Sequence, residues 1–381
     1  MARFLIVSAD FVMTGGQDRA NFALAEFLAD RGDDVHLVAH GVAEELAGRP
    51  NVTVHKAAKP LGSYSLGQPM LSAAGRKQAR RLAPDHTVVN GGNCPLPAIN
   101  WVHYVHASWP ARGTGSAVRR LKTRADHEIN VRQERSALRR ATLAIANSEL
   151  TRRHLIDLVG VPADRVETIY LGADPSRFYP AGAEERAAIR ARNGWDDGRP
   201  LLAFVGALGD IRKGFDRLYE AWSILAADPG WDARLVVIGR GASLPAWQAK
   251  VAAAGMGGSV QFLGFRADVP ELLRGLDGLI SPTRYDSYGL NVQEALCCGL
   301  PALVSASAGV AERYPEALGD LLIRDPDDAA DLAARIRRWR EGTGRERPEL
   351  ESFSRSMRDY TWKDMAARMV RRIESRGSGS A

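Results

Sequence analysis

Short apolar runs and longer mixed stretches alternate along this chain. Phe4-Leu-Ile-Val-Ser8 reads as a buried strand. After a polar loop, Ala9 to Gln17, residues Asp18 to Arg31 carry apolar side chains at Ala20, Leu24, Phe27 and Leu28, the spacing of one helix face. Gly32 ends that helix and Val35 to Ala39 is the next strand. The pattern is βαβ, which predicts a parallel, doubly wound sheet. It continues with strands at Val52–His55, Thr87–Asn90, Asn100–Ser108, Thr142–Asn147 and Val166–Leu171. A helix is expected at Leu71–Ala83, and Ser148 caps another over Glu149–Val159.

The alternation breaks at Gly172 to Pro180 and restarts at Leu201–Val205. A helix over Phe215–Ala226, strands at Leu235–Ile238 and Val260–Leu263, a helix over Val269–Arg274 and a strand at Gly278–Ser281 follow. Gly289 opens a helix through Cys298, and Pro301–Ser305 is a further strand. The fold class is therefore α/β, with two Rossmann-like doubly wound domains over residues 1–172 and 200–352 and a linker over 173–199. The length of 381 residues suits two domains.

Composition narrows the class. The chain is 45% hydrophobic and 25% charged, with no apolar run near the ~20 residues that span a bilayer. The first apolar run is too short for a signal peptide. Cys94, Cys297 and Cys298 make neither a metal pattern nor a disulfide framework, and a cytoplasmic location is expected. Net charge is +6, with much of the arginine between Ala111 and Arg153. That stretch reads as a solvated helix face balanced by Asp126, Glu128 and Glu134, or as a surface for anionic lipid or a charged acceptor. No aromatic interleaving supports nucleic-acid binding.

Candidate chemistry gathers in loops that follow strands. Asp286 sits after Gly278–Ser281, and Glu294 lies about one turn into the next helix. Both can face the crevice at the carboxyl ends of the strands, beside a helix start that offers N–H groups to an anion. A solvated loop acid and a helix-face glutamate would give the same pattern. The loop Gly206-Ala-Leu-Gly-Asp-Ile-Arg-Lys-Gly214 puts Arg212 and Lys213 before another helix, a diphosphate-like site or two surface cations. Gly15-Gly16 lacks the dinucleotide spacing and is a close-approach loop or a tight turn. His103 and His106 fall on opposite faces of the expected strand, with His106 at its carboxyl end.

In order and spacing these pieces resemble the retaining glycosyltransferases of family 4, which have the GT-B fold. The resemblance rests on Gly15-Gly16 with Leu24-Ala25 and Arg31-Gly32, on His106, and on Ala146-Asn-Ser148. It continues through Ile169-Tyr-Leu-Gly-Ala-Asp174 with Arg177-Phe178, Val205-Gly206 with Lys213-Gly214, and Asp286-x7-Glu294 with Gly299-Leu-Pro301. Tyr360-Thr-Trp362 resembles the segment that crosses back to the first domain, which implies a helix at about 358–374.

The resemblance implies transfer of a sugar from a nucleoside-diphosphate sugar to an acceptor hydroxyl, with retained configuration. Arg212 and Lys213 would hold the diphosphate, Glu294 the ribose, and Asp286 with backbone near Tyr288, Gly289 and Leu290 the sugar. Gly206 belongs to the phosphate loop, Gly264-Phe265-Arg266 would border the base, and Gly15 and Gly16 would approach the diphosphate. Neither cofactor nor metal is expected. The chain departs from the pattern at Asp286, where glutamate is usual, at Ala207, where arginine is common, and at Leu171, where asparagine is customary. Alternatives are a non-catalytic nucleotide-sugar-binding protein, or an epimerase or phosphorylase on the same fold. Sugar, base, acceptor and oligomeric state are not set by the sequence.

Overall fold

The computed structural model describes residues 1–110, 117–343 and 347–377. Residues 111–116, the side chains of Arg119 and Arg120 in the arginine-rich stretch, and the end of the Gly-Ser tail lie outside the described residues. The chain divides into two compact units, Met1–Gly172 with Trp362–Ala381, and Ala173–Thr361.

The first unit is built on a seven-stranded parallel sheet. From edge to edge its strands are Val52–Lys56, Asp34–Ala39, Arg3–Val7, His86–Asn90, Ile99–Val102, Leu143–Ala146 and Val166–Thr168. The strand Arg3–Val7 is apolar from Phe4 onward because helices cover both faces; Phe4, Leu5, Ile6 and Val7 are all fully buried. The helix Gly16–Asp30 packs against the terminal helix Trp362–Gly377, and Arg31 pairs with Glu374 at 2.8 Å. Ser148 caps Glu149–His154 through Thr151 N–H at 3.0 Å.

Three local features differ from the sequence reading. The strand expected over Asn100–Ser108 stops at Val102, and His106–Ser108 is a 3-10 turn, so alternation does not place His106. The helix expected from Leu71 starts at Tyr64, with Pro69 inside it. Within the arginine-rich stretch, Ala117–Arg140 form a helix on which Asp126 and Glu128 are exposed but Glu134 is fully buried. Glu134 is thus no part of a solvated face.

The second unit carries a six-stranded parallel sheet in the order Val260–Gly264, Arg234–Ile238, Leu201–Val205, Gly278–Ser281, Ala302–Ser305 and Leu322–Ile323. In chain order that is 3-2-1-4-5-6, a doubly wound sheet whose direction of growth reverses between Leu201–Val205 and Gly278–Ser281. The stretch after Gly172 contributes the helix Ala183–Arg192. Arg186 and Arg190 both bind the buried Asp277 carboxylate, which also accepts from Leu201 N–H at 2.8 Å. A buried acid with three donors is well compensated.

Candidate active site

Loops from two strands meet at the reversal point of the second sheet. One, 206–214, follows Leu201–Val205; the other, 282–289, follows Gly278–Ser281. The carbonyl of Arg212 accepts from Arg284 N–H and from the Thr283 hydroxyl, each at 2.7 Å. Gly214 closes the first loop at φ 70°, and a Cβ there would lie 1.9 Å from the Pro282 carbonyl oxygen. Only glycine permits that approach. The helix Phe215–Ala226 begins at the next residue.

Both sequence-predicted cations are here, and both are paired. Lys213 Nζ donates to Asp286 Oδ2 at 2.6 Å. Arg212 forks onto Asp210, with Nη2 to Oδ2 at 2.6 Å. Burial raises the Asp210 pKa, but the hydrogen bonds and charge of Arg212 outweigh it and hold the carboxyl below its ordinary value.

Asp286 is anchored on every side. Its carbonyl accepts from Gly309 N–H at 3.0 Å and its Oδ1 from Tyr288 N–H at 3.3 Å, while the side chain stays 16% exposed. Gly289, at φ 98°, precedes the helix Leu290–Cys297, and its carbonyl accepts from Val292 N–H at 3.0 Å, so Leu290 and Asn291 lead the helix start. Asn291 Nδ2 donates to Val205 O at 3.0 Å, which ties that helix start to the end of the first strand. Glu294 sits half-buried one turn on.

Tyr288 keeps its backbone in the loop beside Asp286 and turns its side chain inward. Its ring is buried, its hydroxyl donates to Gln293 Oε1, and Arg313 Nη1 donates to it at 2.9 Å. Burial pushes the phenol up to about 12. Tyr288 is a support beneath the loop. Its carbonyl accepts from Val310 N–H at 2.6 Å.

Gly206, Gly239 and Gly241 let the ends of the first two strands touch. A Cβ on Gly239 would lie 1.9 Å from Gly206 O, and one on Gly241 would lie 1.6 Å from Leu208 O. Between them Arg240 stands over the ring of Phe265, 4.8 Å from its centre, and Phe265 is 59% exposed. An exposed ring backed by a cation is a stacking platform for a planar group. Sequence reading found Phe265 but missed Arg240, although Gly-Arg-Gly directly after a buried strand was a usable signal.

In the first unit Gly15, at φ 86°, precedes the helix Gly16–Asp30. Asp18 lies in its first turn, and burial, with Asp10 nearby, pushes its carboxyl up to about 6. Tyr64 donates to Asp10 at 2.6 Å, and Lys59 Nζ lies 3.3 Å above the Tyr64 ring centre. None of these four was anticipated, because they come from three separate segments. The two histidines differ sharply. His103 is buried against Trp101, with ring centres 4.4 Å apart, and burial drives it down to about 3. His106 is half-buried, edge-on to Tyr104, and its N–H donates to Glu134 Oε1 at 2.8 Å. Among the described residues no three His, Cys, Asp or Glu side chains group as metal ligands.

Residues 14–177 match the model "Glycosyltransferase Family 4", and residues 185–357 match "Glycosyl transferases group 1". D-inositol 3-phosphate glycosyltransferases of Nocardia farcinica and Frankia alni are similar to this chain, 25% and 29% identical. The matches cover 67% of this chain in each case, but only 59% and 66% of the relatives' own lengths. A sucrose-phosphate synthase from Thermosynechococcus elongatus has the same fold, with a TM-score of 0.80 at 18% identity over the whole of both chains. By both models and by this fold, the chain belongs to glycosyltransferase family 4 of the GT-B fold.

Proposed function

We propose that this protein transfers a sugar from a nucleoside-diphosphate sugar to an acceptor hydroxyl, with retention of anomeric configuration. One observation carries the reading most: Lys213, Asp286 and the start of helix Leu290–Cys297 converge where a doubly wound sheet binds its ligands. Departure of a nucleoside diphosphate requires positive charge at the β-phosphate. Lys213 supplies it, Arg212 is the second cation of the same loop, and no metal is needed. Asp286 and Glu294 hold sugar and ribose hydroxyls, Gly206 lets the phosphate approach, and Phe265 with Arg240 takes the base. Gly289 and Leu290 contribute backbone, and Tyr288 supports them from beneath.

The first unit serves the acceptor. Gly15 and Gly16 permit close approach of a ligand, and His106 is half-buried where His103 is buried. The relatives' name points to a phosphorylated polyol as the acceptor to try first. The test is release of nucleoside diphosphate with inositol phosphates and lipid-linked sugars as acceptors, and NMR of the product's anomeric proton. Release without transfer to any hydroxyl would leave only a hydrolase, and an inverted anomer would refute retention.

We also propose peripheral contact with anionic membrane through the helix Ala117–Arg140. It exposes Lys122, Arg124, Arg132, Arg139 and Arg140 together with Leu121 and Ile129. No helix among the described residues is long and apolar enough to cross a membrane. Vesicles rich in anionic lipid should pull the protein down at low salt; failure to do so ends that reading.

A further inference from the structure

The helix Ala117–Arg140 carries one carboxylate that solvent does not reach. Glu134 is 0% exposed, and it is bound to the turn that bears His106. Its Oε1 accepts from His106 N–H at 2.8 Å and its Oε2 from Ala107 N–H at 3.2 Å. These are the leading N–H groups of the 3-10 turn His106–Ser108, for which no side chain at Val105 provides a cap. The long helix therefore caps the turn from outside with a group 28 residues away. Ser108 closes the other side, donating to Val105 O at 2.6 Å.

We infer that Glu134 is a positioning residue for His106, fixing the turn and hence the direction of the imidazole. The catalytic side of this inference rests on the role proposed above for His106; the positioning does not. A strand would have placed His106 by its pleat, but the strand ends at Val102. Three residues of irregular backbone, His103 to Val105, separate the two. Something else must hold the ring, and a bidentate carboxylate on a long helix is rigid enough to do it. The helix backbone at Glu134 is itself held close. A Cβ on Gly92 would lie 3.1 Å from Glu134 N, so the loop after His86–Asn90 rests directly on it.

The chemistry requires a carboxylate and not merely a polar group of that size. An amide offers one acceptor and turns its NH2 toward the second N–H, which sets donor against donor. Burial pushes Glu134 up to about 7, while the two backbone donors and the charge of Arg135 pull it down.

The experiment follows the His106 ring by 1H–13C NMR, assigned with His106→Gln, in the wild type, Glu134→Gln and Glu134→Asp. Positioning predicts that Glu134→Gln moves the His106 resonance and leaves the other histidines in place, with Glu134→Asp intermediate. An unmoved His106 resonance in folded Glu134→Gln, or in folded Glu134→Asp, overturns the proposal. Donor turnover separates the two claims. Glu134→Gln should lower kcat about tenfold or more at unchanged donor KM, and add nothing to His106→Ala. If the resonance moves as expected but His106→Ala turns over normally, the role given to His106 fails and the positioning stands.

Discussion

Lys213 Nζ and Asp286 Oδ2 lie 2.6 Å apart, and they come from the loops on either side of the reversal point in the second sheet. The pair fastens together the two loops that form the candidate donor site, and it also sets the electrostatics there. Any phosphate that binds Lys213 competes with a carboxylate already in contact with it. Removing that competitor should help a bare nucleoside diphosphate and harm a nucleotide sugar. We expect Asp286→Asn to tighten binding of the free diphosphate by about three- to tenfold, a change of roughly one kcal/mol, and to abolish any preference for the sugar-bearing form. Calorimetric titration measures both. Equal weakening of the two ligands would mean that Asp286 only holds the loop.

The glycine contacts give a stability prediction with an internal control. Gly214→Ala must accommodate a left-handed φ and a Cβ 1.9 Å from a backbone oxygen. Gly257 has no heavy atom within 4 Å of its imagined Cβ. Gly214→Ala should cost about 2–4 kcal/mol in denaturant unfolding and blunt the response to donor, while Gly257→Ala stays within about 0.5 kcal/mol of wild type.

Phe265 is exposed and its neighbour Arg240 lies over the ring. Neither supports the core. Phe265→Ala should weaken nucleoside diphosphates by about 1–1.5 kcal/mol, leave inorganic pyrophosphate unaffected and leave the melting temperature unchanged. A matching loss for pyrophosphate would show that the ring does not contact the base.

Two buried groups of the first unit set opposing pH slopes. His103 is driven down to about 3, so the unfolded chain binds the extra proton and stability is lost as pH falls below about 6.5. Glu134 is pushed up to about 7, so the folded chain holds the extra proton and stability is lost as pH rises from about 4.5 through 7. Asp18, raised to about 6, has the same sign as Glu134. Between pH 4.5 and 6.5 the terms offset. Relative to wild type, His103→Gln should make stability fall with rising pH by up to about 1.4 kcal/mol per unit, the value for one proton. Chemical denaturation across that window checks it; parallel curves would contradict it.

Much of this architecture was legible because parallel strands buried on both faces are short apolar runs. Leu201–Val205, Gly278–Ser281 and the helix Phe215–Ala226 were read with the ends they have in the structure. The glycine-bounded loops also stood out, and with them Lys213, Asp286 and Glu294. What escaped was set by partners remote in sequence. Alternation could not show that the strand ending at Val102 hands His106 to a turn held by Glu134. Charge counting placed Glu134 in solvent, because a helix with many arginines hides a single inward acid. Nor does the motif containing Tyr288 reveal that its ring points down to Gln293 and Arg313.

The most direct measurement is a thermal-shift panel of UDP-, GDP-, dTDP- and ADP-linked sugars on the wild type and on Lys213→Ala. Ligand at about 100 times its dissociation constant adds about 2.7 kcal/mol, an easily seen rise in melting temperature. One base class should stabilise the wild type, and Lys213→Ala should lose that response relative to its own ligand-free melting temperature. An equal shift in both proteins would contradict it, because the donor would then bind without the cation on which the site is built.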